Sequence, residues 1–163
     1  MAIVSGDLKL YLTGGASNVD PTLSLGGTTS SVVFTDATLA NLFANVSPAE
    51  AIVGSIKYRA LSFKNTSALT AYAAIVYISQ ETSSADTTVA IAYDSTGTQS
   101  IVNETTAPTG LSFSTPVSLA TGIALGDVAA AGIRRIWFKR TVTELAAMAA
   151  DEGKITISVG NAP

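Results

Sequence analysis

The sequence has no histidine and no cysteine among its 163 residues. Without imidazole or thiol, the chain lacks Ser-His and Cys-His nucleophile activation and the usual zinc ligands. No disulfide framework is available either, so the fold must hold in either redox compartment. The twelve acidic residues are scattered, mostly beside Ser, Thr, Gly or Pro, as is typical of turns. We therefore predict a protein that is not an enzyme and uses no cofactor or metal; an acid pair of the glycosidase type is the remaining enzymatic alternative.

Charge is also scarce. Charged residues make up 13% of the chain and hydrophobic residues 47%, against about 25% charged in an ordinary soluble domain. The net charge of −3 argues against nucleic-acid binding, which needs a basic excess. The most apolar run, 71–78, is much shorter than the ~20 residues of a membrane span. Met1 to Ser5 lacks the features of a secretory signal peptide, so we expect synthesis in a cytoplasm and no membrane partner.

Short alternating segments separated by turn residues dominate the rest of the chain. They predict strands at 7–12, 55–63, 72–79, 88–93, 100–102, 133–142 and 154–159, with 72–79 buried on both faces or nearly so. Two segments, 36–43 and 143–150, have the caps and composition of short helices. This pattern predicts an all-β fold: a single-domain antiparallel β-sandwich over residues 1–163, for which a jelly roll is one arrangement, with one or two short helical excursions. Residues 1–6 are either an extended N-terminal arm or a first strand that is frayed or simply pairs with its neighbour.

The one concentration of positive charge lies in the predicted strand 133–142, which also holds the only tryptophan. Alternation places Arg134 and Arg140 on one face and Arg135, Trp137 and Lys139 on the other. Arg and Trp are favoured where proteins touch, so these five residues are candidates for a protein interface. Two alternatives remain: a core strand whose cations extend to solvent, and a nucleic-acid contact in which basic and aromatic residues interleave.

Aromatic residues raise one further possibility. Tyrosine rings can stack on sugars, so a host glycan is a conceivable ligand. The candidates lie on different predicted strands: Tyr58, Tyr72, Tyr77 and Tyr93. Packing within the core is the more common role of such residues.

Several segments together resemble small virion structural proteins of tailed bacteriophages. They are Leu12 to Pro21 with Ser24 to Gly27, Leu42 to Ser47, Tyr58-Arg59 before Lys64 to Thr66, and Ile136 to Val142. The set spans most of the chain and contains no catalytic signature.

The resemblance implies a β-sandwich that binds the outer face of an assembled capsid as a decoration or cement protein and stabilises it. Its partners would be the major capsid protein and copies of itself, as a dimer or trimer, and its location the capsid surface of the virion. The alternatives are another virion component, such as a tail, neck or baseplate β-domain, and a carbohydrate-binding module.

Overall fold

The computed structural model describes residues 3–35, 42–146 and 152–160. The strands of this part of the chain are β1 (Leu8–Thr13), β2 (Thr29–Phe34), β3 (Ser55–Asn65), β4 (Ala71–Gln80), β5 (Thr87–Asp94), β6 (Ile123–Val128), β7 (Ile133–Val142) and β8 (Lys154–Gly160). The same residues also form one α-helix, α1 (Pro48–Val53), and three short 3-10 turns: Ser5–Asp7, Pro21–Leu23 and Leu119–Thr121. None of the helices among these residues has the length and hydropathy that crossing a membrane would require.

The strands form two antiparallel sheets. The larger has the order β2-β1-β3-β7-β5 and the smaller the order β6-β4-β8. From β3 onward, each successive strand lies in the sheet opposite to the one before it. From β3 to β8 the chain therefore crosses from one sheet to the other at every connection. The predicted all-β sandwich is confirmed.

The main core fills the space between the sheets. Alternation along β3 and β7 sends Leu61, Phe63, Ile136 and Phe138 inward, where all four are buried. The small sheet covers them with a buried set of its own: Ala71, Ala74, Val76, Ile78, Leu125 and Val128. Apolar side chains at alternate positions of both sheets thus account for the sandwich.

A second apolar layer lies on the outer face of the large sheet, where Trp137 packs with Ala60 and Ala92. Residues of two long loops, 14–28 and 95–122, cover it. The loops are joined to the sheet and to each other by backbone hydrogen bonds, from Ala60 N–H to Ser24 O (2.8 Å) and from Gly27 N–H to Gln99 O (2.7 Å). The strands buried on both faces are consequently β3 and β7.

The sequence predicted that double burial for β4 instead, and this prediction is wrong. The inner side chains of β4 are buried, but Ile75 and Tyr77 on its outer face are half-exposed. The physical reason is that the covering loops lie over the large sheet. Burial on a second face depends on loops distant in sequence and is not encoded within the strand.

The described residues confirm neither predicted helix. Most of the segment 36–43 lies outside the described residues, and Leu42 and Phe43 are in a bend. Of 143–150, residues 143–146 form a turn in which Leu145 has a positive φ of 60°, and the remainder lies outside the described part. At the N-terminus, Ile3 packs against the main core and Ser5–Asp7 form a 3-10 turn.

Candidate functional site

The basic strand predicted as an interface is β7, and most of its side chains are internal. Trp137, Arg135 and Arg140 expose only 0%, 2% and 6% of their surface. Arg134 and Lys139 are half-buried and reach the surface. The interface assigned to these five residues stays a prediction. A partner could touch Arg134 and Lys139 directly, whereas the other three lie beneath covering segments of the same chain.

Arg135 is held by oxygens of the large sheet and the first loop. Its Nε donates to Ser62 Oγ (3.1 Å), and its Nη2 donates to Gly27 O (2.7 Å) and Thr29 Oγ1 (3.4 Å). Burial lowers the pKa of Arg135, and the negative charge of its cross-strand neighbour Asp94 opposes that decrease. The guanidinium therefore serves to fix the loop on the sheet.

Arg135 and Asp94 lie at the base of an open groove of about 530 Å³. Burial disfavours the charged form of Asp94, but hydrogen bonds from Thr96, Gly97 and Gln99 outweigh it and lower its pKa. Five residues that bear hydroxyl groups also line the groove: Thr28, Thr29, Ser95, Thr96 and Thr98. Both charged groups at the base thus bond within the chain, as do the hydroxyls of Thr29 and Thr96, while Arg135 Nη1 is buried without a partner in the described part of the chain.

A more unusual feature is a group of five charged side chains at the end of the sandwich where β3 begins and β7 ends. We call it the ionic cluster: Glu50, Lys57, Arg59, Glu104 and Arg140. Arg140 Nη2 lies 2.6 Å from Glu50 Oε1, and Lys57 Nζ lies 3.3 Å from Glu50 Oε2 and 3.1 Å from Glu104 Oε1. Arg59 completes the chain of contacts by pairing with Glu104.

Phe43 is the apolar centre of this cluster. The guanidinium carbons of Arg59 and Arg140 lie 5.7 Å and 5.2 Å from the centroid of its ring, within the range of cation–π attraction. Arg140 Nη1 also donates to Ala44 O (2.6 Å). The two arginines therefore bind the segment before α1 to the central strands of the large sheet.

Both carboxylates of the cluster are stabilised in the charged form. Burial raises the pKa of Glu50, but the hydrogen bond from Ser55 and the charges of Arg140 and Lys57 outweigh it, so the net pKa is lowered. The pKa of Glu104 is lowered for the same reasons, with Arg59 and Lys57 opposing burial. The cluster is a set of paired charges that anchors α1, although the Nε atoms of Arg59 and Arg140 are buried without a hydrogen-bond partner among the described residues.

The anchored helix presents an apolar surface to solvent. Ile52 and Val53, at its C-terminal end, are 60% and 73% exposed, and Leu145 is 78% exposed. Leu145 is adjacent to them, because its N–H donates to Ile52 O (3.4 Å). We call these three residues the end patch. Three exposed branched apolar side chains thus lie at one end of the sandwich.

Sequence reasoning missed the end patch, although a signal was present. Ser47, Pro48 and Glu50 have the spacing of a helix N-terminus: the Ser47 hydroxyl caps the helix by accepting from Glu50 N–H (3.1 Å), and Pro48 occupies the first helical position. The exposure of Ile52 and Val53 had no comparable signal, because a six-residue helix is too short to show a clear apolar face.

The acidic residues and tyrosines of the described part of the chain bear on a metal site and a glycan site. No group of three or more acidic residues there is arranged to hold a metal ion. The four tyrosines considered for glycan stacking lie on both sheets, and Tyr58 and Tyr93 pack against different apolar clusters. Tyr58 is engaged with Phe113, at a ring-centroid distance of 5.5 Å.

The described residues define an all-β sandwich with three exposed apolar side chains at one end. Comparison of the chain with protein-family models, with curated protein sequences and with solved structures found no match.

Proposed function

We propose that this chain is a non-enzymatic virion structural protein that binds the assembled capsid as a decoration or cement protein. The end patch is the observation that carries this proposal, and the resemblance to small phage virion proteins supplies the partner. The protein is made in the host cytoplasm and acts at the capsid surface. Its partner is the major capsid protein.

The physics of the end patch suits such a role. A branched apolar side chain contributes about 1.5–3 kcal/mol when it passes from full exposure to full burial. Each of Ile52, Val53 and Leu145 is more than half exposed. The ionic cluster holds α1, which carries Ile52 and Val53, against the large sheet through the Glu50–Arg140 pair. A surface that is already ordered loses little entropy on binding. Repetition over a capsid lattice then adds avidity to a modest single contact.

Binding of this kind also explains how the protein would stabilise a shell. A protein that attaches to the assembled lattice and not to free subunits shifts the equilibrium towards the lattice by mass action. The sparse charge of the chain favours close contact, because few charged groups must be desolvated at the interface.

The test is co-sedimentation of the purified chain with capsids that lack it, prepared from a phage whose genome encodes it. We expect saturable binding of the wild-type chain. Val53→Asp places a charge in the end patch and should weaken binding by about 30-fold or more, since burying an unpaired carboxylate costs at least ~2 kcal/mol.

Leu69→Asp is the matched control. Leu69 is 42% exposed and lies beyond the far end of β3, on the opposite end of the sandwich from the end patch. This variant should bind as the wild type does. The proposal would be rejected if the wild type did not co-sediment with the capsids. It would also be rejected if the Val53→Asp variant bound as tightly as the wild type.

A further inference from the structure

Among the residues that the structure describes, the sandwich has four edge strands, β2 and β5 in the large sheet and β6 and β8 in the small one. An edge strand exposes backbone N–H and C=O groups that can pair with another chain unless something blocks them. Three of these edges are blocked or distorted by groups of the chain itself.

The edge strand β5 is paired by a loop. Ile91 and Ser114 exchange two backbone hydrogen bonds, 2.8 Å from Ile91 N–H to Ser114 O and 3.0 Å in the reverse direction. The loop before β6 therefore occupies the middle of this edge. A partner strand would have to displace it.

The edge strand β6 is capped by a side chain. Arg134 donates from Nε to Leu125 O (2.9 Å) and from Nη2 to Asp127 O. Between these two residues Gly126 has a positive φ of 71°, and the pairing with β4 shifts register there. A bulge and an engaged pair of carbonyls make β6 a poor template.

The edge strand β2 is irregular. Its register against β1 shifts between Tyr11 and Thr13. Within the bulge, Ser31 N–H donates to Ala16 O (3.0 Å) and Val32 N–H donates to Ser30 Oγ (3.0 Å). Two of its six backbone donors are thereby used locally, and the strand is bent.

The edge strand β8 differs from these three. Its pairing with β4 shifts register twice, but at each shift the extra residue lies in β4, so β8 itself is not bulged. Its backbone pairs with β4, and the described residues supply no hydrogen-bond partner along its other edge. Its inward-facing side chains, Ile155, Ile157 and Val159, pack against the main core yet remain partly exposed. Within residues 3–35, 42–146 and 152–160, the sandwich is therefore open along β8, with both backbone groups and apolar side chains incompletely covered.

We infer that β8 pairs in antiparallel fashion with β8 of a second copy of this chain, across a two-fold axis at Ile157. The sequence of β8 is self-complementary about that point. Ile157 faces its own copy, Ile155 faces Val159 of the partner subunit, and Thr156 faces Ser158 of the partner subunit. Apolar residues thus meet apolar residues on the inner face, and hydroxyls meet hydroxyls on the outer face.

The charges and symmetry agree with this register. Lys154 faces Gly160 of the partner subunit, so the two lysines lie at opposite ends of the paired strands. Antiparallel pairing about one residue is an isologous contact, which closes as a dimer and leaves no free copy of the same edge. The two small sheets become one continuous six-stranded sheet, and the partly exposed inner side chains of both copies are covered.

This inference specifies the self-association part of the proposed function, but its test needs no capsid. The measurement is the mass of the free protein by sedimentation velocity over a range of concentrations. The wild type should approach about 33 kDa, twice the 16.6 kDa of one chain. Failure to dimerise would leave the capsid-binding proposal to be judged separately by co-sedimentation.

Two double variants test the register. Thr156→Lys with Ser158→Lys places lysine opposite lysine twice across the axis, and should shift the dimer dissociation constant at least 10-fold towards monomer. Thr156→Lys with Ser158→Glu places lysine opposite glutamate twice, and should retain the dimer. Both positions are partly exposed on the outer face, and thermal unfolding of each variant checks that the fold is intact.

The variants also separate β8 from other surfaces. Ala124→Lys, at an exposed position on β6, should leave the dimer unchanged. A wild type that stays monomeric at the highest concentration overturns the inference. Equal dimerisation by both double variants also overturns it, because the two copies would then associate through a surface other than β8.

Discussion

At the scale of single residues, Gly26 shows how closely the first loop approaches the sheet. It has a positive φ of 85°, and a Cβ there would lie 2.7 Å from Trp137 Cζ2 and against Gln99 O. A left-handed conformation costs a non-glycine residue about 1–2 kcal/mol, and overpacking adds about 1–3 kcal/mol. Gly26→Ala should therefore lower the free energy of unfolding by about 2–5 kcal/mol, measured by urea denaturation.

Gly97 is the matched control for this prediction. Its φ of 66° is also positive, but nothing lies within 4 Å of its ideal Cβ position. Gly97→Ala should cost only the backbone term of about 1–2 kcal/mol. Equal losses at the two sites would show that the loop does not press on Trp137.

The pair Glu50–Arg140 gives a second prediction at this scale. Removing one member of a buried ion pair costs about 3–5 kcal/mol, whereas replacing both by apolar residues is often close to neutral. Glu50→Leu alone should destabilise the chain by about 3 kcal/mol or more. Glu50→Leu with Arg140→Met should recover most of that loss, and a double-mutant cycle by urea denaturation measures the coupling. Strictly additive losses would contradict the pairing.

The burial of these arginines could not be predicted from the sequence. Alternation in 133–142 correctly assigned Arg134 and Arg140 to one face and Arg135 and Trp137 to the other. It could not indicate that Arg140 is buried, because its partner Glu50 is supplied from a helix 90 residues earlier. A cation within a strand is buried or exposed according to residues that local periodicity does not contain.

At the scale of elements, the ionic cluster makes the attachment of α1 sensitive to acid. The pKa values of Glu50 and Glu104 are lowered in the folded chain, below the ordinary value of 4.5. Their stabilising contribution is therefore complete above the pKa of the unfolded chain and is lost as the pH falls through the folded-state values. We expect the free energy of unfolding to decrease as the pH is lowered below about 4.5.

The measurement is urea denaturation from pH 7 to pH 2, followed by Trp137 fluorescence. Glu50→Gln should show a flatter decrease than the wild type, since Glu50 no longer titrates. Asp94, whose pKa is also lowered, should account for part of the decrease that remains. Parallel curves for the two proteins would show that Glu50 is not held in the charged form.

The strands also show what periodicity can and cannot find. The long alternating segments were located well, and 133–142 matches β7 at both ends. The strands missed were β2 and β6, because Ser and Thr dominate one and Gly126 with Asp127 interrupts the other. Residues 100–102 form an isolated bridge at Ser100 rather than a strand. Short strands of low hydrophobicity depend on their neighbours for pairing, which local sequence does not reveal.

At the scale of the whole molecule, the sequence determined the class of fold but not its topology. Turn signals and alternation predict two packed sheets, whatever their order. Each strand after β3 lies in the sheet opposite to the one before it, and this arrangement depends on contacts between distant segments. The same contacts decide that the edges of β2, β5 and β6 are blocked or distorted and that, among the described residues, the edge of β8 is exposed. The surfaces proposed for function, the end patch and β8, are products of that topology.

Electron cryomicroscopy of purified capsids, with and without a saturating amount of the chain, tests the central proposal most directly. We predict added density on the outer capsid surface at symmetry-related positions, into which the sandwich fits with Ile52, Val53 and Leu145 against the major capsid protein. Capsids that remain bare at saturating protein, or density that contacts the shell through another surface with the end patch facing solvent, would contradict the account.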